Sequence, residues 1–252
     1  MLPINQIYNM DCLEGMKQLD DKSVDMILCD LPYGTTQNKW DSVIPFDLLW
    51  KQYNRILKPN KMIVLTGSQP FTSALISSNY KWFKYELIWE KNNATGFLDS
   101  NRKPLKSHEN ILIFSNGKHL YNPQLELNKP YKTTSKGLTN NYGKFQLKTT
   151  ISNGFRFPKT ILKFANSNLT EKNQFHPTQK PVALFEYLIR TYSNENDLIL
   201  DNCMGSGTTA VASIQSKRNF IGFEMNKEYY EKAVERINSV QIKEKLAIDQ
   251  WF

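Results

Sequence analysis

Apolar positions along the chain follow two periods. Short apolar runs bounded by turn residues occur at QIYNM (6–10), VDMILC (24–29), KMIVLTG (61–67), YELIWE (85–90), NILIFS (110–115), DLILD (197–201) and NFIGFE (219–224). Each predicts a strand. Residues 12–19, 46–57, 69–78, 181–192, 207–216 and 226–246 carry helical spacing between these runs. The alternation predicts an α/β fold: a doubly wound, mostly parallel sheet of seven strands with helices on both faces. Residues 118–172 break the rhythm, with little periodicity and several turn residues. The predicted organisation is therefore one domain built from 1–117 and 173–252, interrupted by an insertion at 118–172. There are no internal repeats.

Composition adds a location for the charge. The net charge is +8, and residues 118–172 hold ten Lys or Arg against Glu126 and Glu171, so the rest of the chain is neutral. The same window interleaves Tyr121, Tyr131, Tyr142, Phe145, Phe155, Phe157 and Phe164. A basic, aromatic stretch confined to one segment is the footprint of a nucleic-acid contact. No apolar run approaches the roughly 18 residues of a membrane span, and MLPINQIYNMDC lacks the charged-then-apolar pattern of a signal peptide. A soluble cytoplasmic protein, in a bacterial or phage-infected cell, is expected. Cys12, Cys29 and Cys203 form no C-x-x-C pair and the three histidines show no ligand spacing, so neither disulfide nor metal is expected.

Two strand ends carry candidate chemistry. DLILDNCMGSGTTAVA is a strand ending on Asp201, then a glycine loop, then a helix start. Gly205 and Gly207 let backbone approach a ligand, and the helix N-terminus beyond them offers free amides. Gly205-x-Gly207-x-x-Ala210 fits the dinucleotide fingerprint loosely, which keeps a nicotinamide-dependent oxidoreductase open. The next strand ends on Glu224, a carboxylate placed to take ribose hydroxyls. At the other strand end, Asp30 opens DLPYGTTQNKWD. Open α/β sheets bind ligands at the carboxyl ends of strands, so Asp30 and Asp201 are expected to border adjoining sites.

DLPYG (30–34), HPTQKP (176–181), DNCMGSGTT (201–209) and RNFIGFE (218–224), in that order, resemble the β-class amino-group DNA methyltransferases, the small bacterial or phage enzymes that modify adenine N6 or cytosine N4. The resemblance implies a Rossmann-like fold in the circularly permuted motif order, with the catalytic motif ahead of the cofactor loop and a target-recognition segment between them. It implies S-adenosylmethionine as cofactor and DNA as partner. Its catalytic assignments fall on Asp30, Leu31, Pro32 and Tyr33: the Asp30 carboxylate and the Leu31 carbonyl accept from the exocyclic amine, Pro32 confines Leu31, and Tyr33 stacks on a base extruded from the duplex. Its cofactor assignments fall on Asp11 and Cys12 near the adenine, Thr178 and Lys180 near the methionine carboxylate, Asp201, Met204, Gly205, Ser206, Gly207 and Thr208 around the methionine, and Glu224 on the ribose, with Asp30 at the junction. SHENILIFS (107–115), with His108 and Glu109, GSQPF (67–71) and WEK (89–91), with Trp89, resemble family segments around the base pocket, although a satisfied strand-start pair is the commoner role for His108–Glu109 and core packing for such a tryptophan.

The chain departs from the family pattern at two places. Leu31 replaces the first proline of D-P-P-Y but keeps the carbonyl, and Asn202–Cys203 replaces Pro-Phe. Within the resemblance an acid at position 30 favours adenine, because cytosine enzymes tend to carry serine there. A homodimer and a companion restriction endonuclease are compatible with such an enzyme. A nucleic-acid binder without catalysis is the remaining alternative, and it would bind S-adenosylmethionine poorly.

Overall fold

The computed structural model describes residues 2–35, 38, 41–134, 149–167 and 179–249. The strands are β1 (Gln6–Tyr8), β2 (Val24–Cys29), β3 (Leu57–Gly67), β4 (Phe83–Thr95), β5 (Lys106–Ser115), β6 (Glu126–Leu127), β7 (Tyr131–Thr134), β8 (Thr149–Ser152), β9 (Phe155–Arg156), β10 (Ile161–Lys163), β11 (Leu198–Asp201) and β12 (Asn219–Phe223). The helices are α1 (Cys12–Lys17), α2 (Phe46–Ile56), α3 (Phe71–Ser78), α4 (Val182–Tyr192), α5 (Thr208–Gln215) and α6 (Lys227–Asp249).

One sheet holds eight strands in the order β1-β12-β11-β2-β3-β5-β4-β10, parallel except for β5, which runs antiparallel to both neighbours. All seven predicted strands are in it. The eighth, β10, pairs in parallel with β4 and comes from the stretch assigned by sequence to the insertion. Its three residues are too few to show a period. The backbone separates into two compact units, one of residues 1–122 and 160–252 and one of residues 123–159. The insertion read from sequence as 118–172 is thus wider than the second unit. That smaller unit contains two short antiparallel pairs, β6 with β9 and β7 with β8, and Arg156 lies over the Tyr131 ring at 4.3 Å.

In β2 all six residues are buried because helices cover both faces of the sheet. Ile27 and Cys29 point to α1, α2 and α3, against Met16, Leu49, Tyr53 and Leu75. Met26 and Leu28 point the other way, to Leu184, Phe185 and Leu188 of α4. Truncating one of these core side chains to alanine costs ~2–5 kcal/mol. From β11 the chain moves to β12 on one side, and from β2 it moves to β3 on the other. The order therefore reverses between β11 and β2, and a crevice opens at their carboxyl ends. Asp201 and Asp30 stand at those ends.

Candidate active site

A cavity of about 790 Å³ lies at this reversal point. Its wall includes Asp11, Cys12, Asp30, Leu31, Pro32, Tyr33, Lys180, Asp201, Met204, Gly205, Ser206, Thr208 and Glu224. The volume is within the usual ~300–1,000 Å³ of small-molecule sites. Gly207 stands behind the wall. Its φ of +78° turns the chain into α5, and a Cβ there would touch Ala233 and Ile237 at 3.4 Å, so it also lets α5 approach α6. Thr178 lies outside the described residues.

On one wall, carboxylates are held by neutral donors. Glu224 accepts from the Gly205 amide at 2.8 Å and the Asn226 amide at 2.7 Å, which closes the glycine loop against the end of β12. Asp201 accepts from the Thr209 hydroxyl and from the Cys203 amide at 3.0 Å. Burial pushes the Asp201 carboxyl up to about 6, against the pull of those two donors, and burial also raises Glu224. Asp11 caps α1, accepting from the amides of Leu13 at 2.9 Å and Glu14 at 3.1 Å. Among the described residues no Lys or Arg pairs with Asp11, Asp201 or Glu224. Asn202 is anchored from behind, its Oδ1 accepting from the buried Tyr53 hydroxyl at 2.6 Å. The three cysteines, far apart in sequence, meet here. Burial pushes Cys29 up to about 12, so its thiol packs as an apolar group and is not a nucleophile.

The opposite wall is built from ion pairs. Asp30 Oδ1 accepts from the Tyr33 hydroxyl at 2.6 Å and from the Thr66 hydroxyl, while Oδ2 takes the Lys180 ammonium. Lys180 also lies 3.5 Å from Glu109 Oε2, and Lys91 pairs with Glu109 Oε1. Burial opposes the charge on Lys180, yet the Asp30 and Glu109 carboxylates outweigh it and raise its pKa. Burial likewise opposes ionisation of Glu109, but the Lys180 and Lys91 ammoniums hold it well below the usual carboxylate range. Tyr33 packs on Phe71 with centroids 5.1 Å apart. The loop after Tyr33 is tied down by Asp41, whose carboxylate accepts from the amides of Gly34 at 2.8 Å and Thr35 at 2.9 Å.

Two features were not legible beforehand: where the Lys180 ammonium goes, and the part played by Thr66. Lys180, assigned by resemblance to the cofactor's carboxylate, has its ammonium on Asp30 and Glu109, while its carbonyl accepts from Thr208 at 3.2 Å. Thr66, at the end of β3, and Lys91, in the long β4, meet Asp30 and Glu109 only through strand pairing. Trp89 is both buried and on the cavity wall, its indole donating to the Phe164 carbonyl at 2.9 Å.

The family model described as DNA methylase, for N6 and N4 enzymes, matches residues 24–235. The chain belongs to this family. It is similar to the type II methyltransferase M1.MboII of Moraxella bovis, at 33% identity over 96% of this chain and 100% of that one. M.HpaI of Haemophilus parainfluenzae is 28% identical over 91% of this chain and 73% of its own. Among solved structures, an M1.HpyAVI–SAM complex superposes with a TM-score of 0.64 at 28% identity, covering 92% of this chain and 98% of that one. The PvuII DNA methyltransferase, described as cytosine-N4-specific, shares the fold with a TM-score of 0.65 at 17% identity, over 93% and 90% of the two chains. The methyltransferase is accordingly an enzyme that methylates an amino group of DNA, and the family draws the methyl group from S-adenosylmethionine. The wall that carries Asp11, Asp201 and Glu224 fits that molecule: among the described residues these carboxylates line the cavity without a Lys or Arg partner, which suits a net-positive sulfonium ligand.

Proposed function

We propose that the enzyme transfers a methyl group from S-adenosylmethionine to N6 of an adenine extruded from duplex DNA. The observation that carries the reading is the meeting of Asp30–Tyr33 and Gly205–Glu224 in one cavity, so that a base on one wall faces a cofactor on the other. Glu224 would hold the ribose hydroxyls, Asp11 the adenine side, and the Asp201–Thr208 loop the methionine. When bound, the cofactor supplies an electrophilic methyl carbon on a sulfonium.

The chain's own residues prepare the acceptor. An exocyclic amine is a weak nucleophile because its lone pair is delocalised into the ring. The Asp30 carboxylate and the Leu31 carbonyl accept its two hydrogens and turn the lone pair out of the ring plane. Tyr33 presents its ring to the base while its hydroxyl fixes the Asp30 rotamer. Thr66 and Lys180 hold the same carboxylate from the sides, so little reorganisation remains when the base arrives. After transfer the nitrogen carries an extra proton, which the Asp30 carboxylate accepts.

Adenine is favoured over cytosine by the acid at position 30, where cytosine enzymes of the family tend to carry serine. The PvuII likeness concerns the fold alone. Incubation with mixed-sequence DNA and labelled cofactor, followed by nucleoside mass spectrometry, is expected to give N6-methyladenine. N4-methylcytosine would overturn the base assignment, and no transfer would overturn the activity.

The basic insertion is the region we assign to target recognition. If six or more of its cations meet phosphates, affinity falls by roughly 10³ to 10⁵ between about 50 and 200 mM salt, and a flat response rejects the assignment. No helix among the described residues is long and apolar enough to cross a membrane. A cytoplasmic enzyme acting beside a companion endonuclease fits the type II names of its relatives.

A further inference from the structure

The β4–β5 hairpin ends in a tip, residues 96–105, that keeps apolar side chains in water. Phe97 is 78% exposed, Leu98 is fully exposed and Leu105 is 43% exposed. Single exposed apolar residues are ordinary, but three on one ten-residue tip make a patch. The tip is shaped: Gly96, at φ +88°, turns the chain out of β4 into a 3-10 turn over Phe97–Asp99. Around a Cβ at Gly96 no heavy atom of the described residues lies within 4 Å, so nothing crowds the turn at the root of the tip. Asp99 braces it from inside, pairing with Lys103 at 2.9 Å and more loosely with Arg102 at 3.8 Å. Arg102 and Lys103 outnumber that single acid, so the apolar residues have a cationic flank.

The base of the hairpin belongs to the active site. Thr95 and Lys106 are paired across the hairpin, and both line the cavity together with Lys91 and Glu109. Phe97 is two residues beyond Thr95, within about 7 Å of chain. A base that reaches Asp30 leaves a gap in the duplex, walled above and below by the faces of neighbouring pairs. Such a gap is apolar, and proteins that hold unstacked DNA commonly fill it with Phe, Leu, Ile or Met while cations grip the phosphates.

We propose that Phe97 and Leu98 form a wedge that enters the duplex where the target base has left it, and so keeps the base in the cavity. The inference rests on the DNA methyltransferase reading and extends it to a second contact with the substrate. Replacing water around two apolar side chains by base faces offsets part of the unstacking cost, which is a few kcal/mol per step. Arg102 and Lys103 then meet the adjacent phosphates.

The test uses the variant Phe97→Ser/Leu98→Ser, with Leu98→Ser alone as a milder companion. Both changes are in solvent, and thermal melting checks that the fold is kept. The target sequence is first mapped by letting the wild type methylate mixed-sequence DNA. On a duplex oligonucleotide carrying that target, the double variant should lose about ten- to a hundred-fold in kcat/KM. With an abasic site opposite the target, extrusion is already partly achieved, and the deficit should shrink to about threefold. 2-Aminopurine at the target should show less fluorescence gain with the variant than with the wild type.

Wild-type turnover on the paired duplex by the double variant overturns the proposal and leaves the patch to another macromolecule. An equal deficit on paired and abasic substrates also overturns it, because a general contact is not relieved by a missing partner. Absence of methyl transfer by the wild type itself would instead sink the DNA methyltransferase reading, so the two failures are distinguishable.

Discussion

The two walls of the cavity use the same residue type in opposite ways. On the cofactor-side wall, Asp11, Asp201 and Glu224 are held by amides and hydroxyls, and their charge has no cationic partner among the described residues. On the base-side wall, Asp30 and Glu109 are matched by Lys180 and Lys91. Neutral donors orient a carboxylate without cancelling its field, so the first wall attracts a cation. Ammoniums cancel the field and leave a rigid, nearly neutral frame, which suits an uncharged base. On the proposed assignment, a single cavity thereby sorts a sulfonium cofactor from a nucleobase without a partition.

Exchanges on the two walls should separate turnover from cofactor affinity. The largest effect is expected from Asp30→Ala: methyl transfer falls by at least about 10³-fold, while cofactor affinity by titration stays close to that of the wild type. Appreciable turnover in that variant would remove Asp30 from the chemistry and break the contrast.

Next in size is a pH effect from Asp201. Its carboxyl is raised from 3.8 to about 6 by burial, so the folded state holds its proton more tightly than the unfolded chain. The associated stability is complete below the unfolded value and disappears as pH climbs through the folded one. Between roughly pH 4 and 7 the wild type should lose on the order of 3 kcal/mol relative to Asp201→Asn, measured by urea unfolding across pH. Parallel curves for the two proteins would show that the neutral donors already compensate the buried charge.

Glu224→Gln is expected to weaken cofactor binding by about ten- to a hundred-fold, the value of a charge-assisted contact, with turnover at saturating cofactor retained. Calorimetric titration measures the first and steady-state kinetics the second. The smallest effect, about tenfold in turnover, should come from Glu109→Gln. It removes one of the two carboxylates around Lys180 and leaves that ammonium to Asp30 alone. A change confined to cofactor affinity would move Glu109 to the other wall.

Much of this arrangement was legible in the chain and some was not, for definite reasons. The runs at 24–29 and 197–201 are short, mostly apolar and bounded by turn residues, and that length marks them as strands buried on both faces. The glycines at 205 and 207 mark a loop because both adopt positive φ. The motifs around Asp30 and Asp201 were readable as a family pattern because each is contiguous. By contrast, β10 is three residues long and is a strand only because β4 offers it a parallel edge. Thr66 gives no local signal either, since Asp30 lies 36 residues away and is brought near by pairing of β2 and β3.

The sequence by itself determined the α/β class, the two chemical strand ends and the excess positive charge between residues 118 and 172. Those properties reside in local periodicity and in short contiguous motifs, which survive without any knowledge of what packs on what. Only the tertiary structure decided that Lys180 turns its ammonium to Asp30, that three distant cysteines pack together beside the cavity, and that the tip carrying Phe97 rises from the cavity rim. Each of these depends on distances between segments far apart in the chain, and such distances are set by the order in which strands pair.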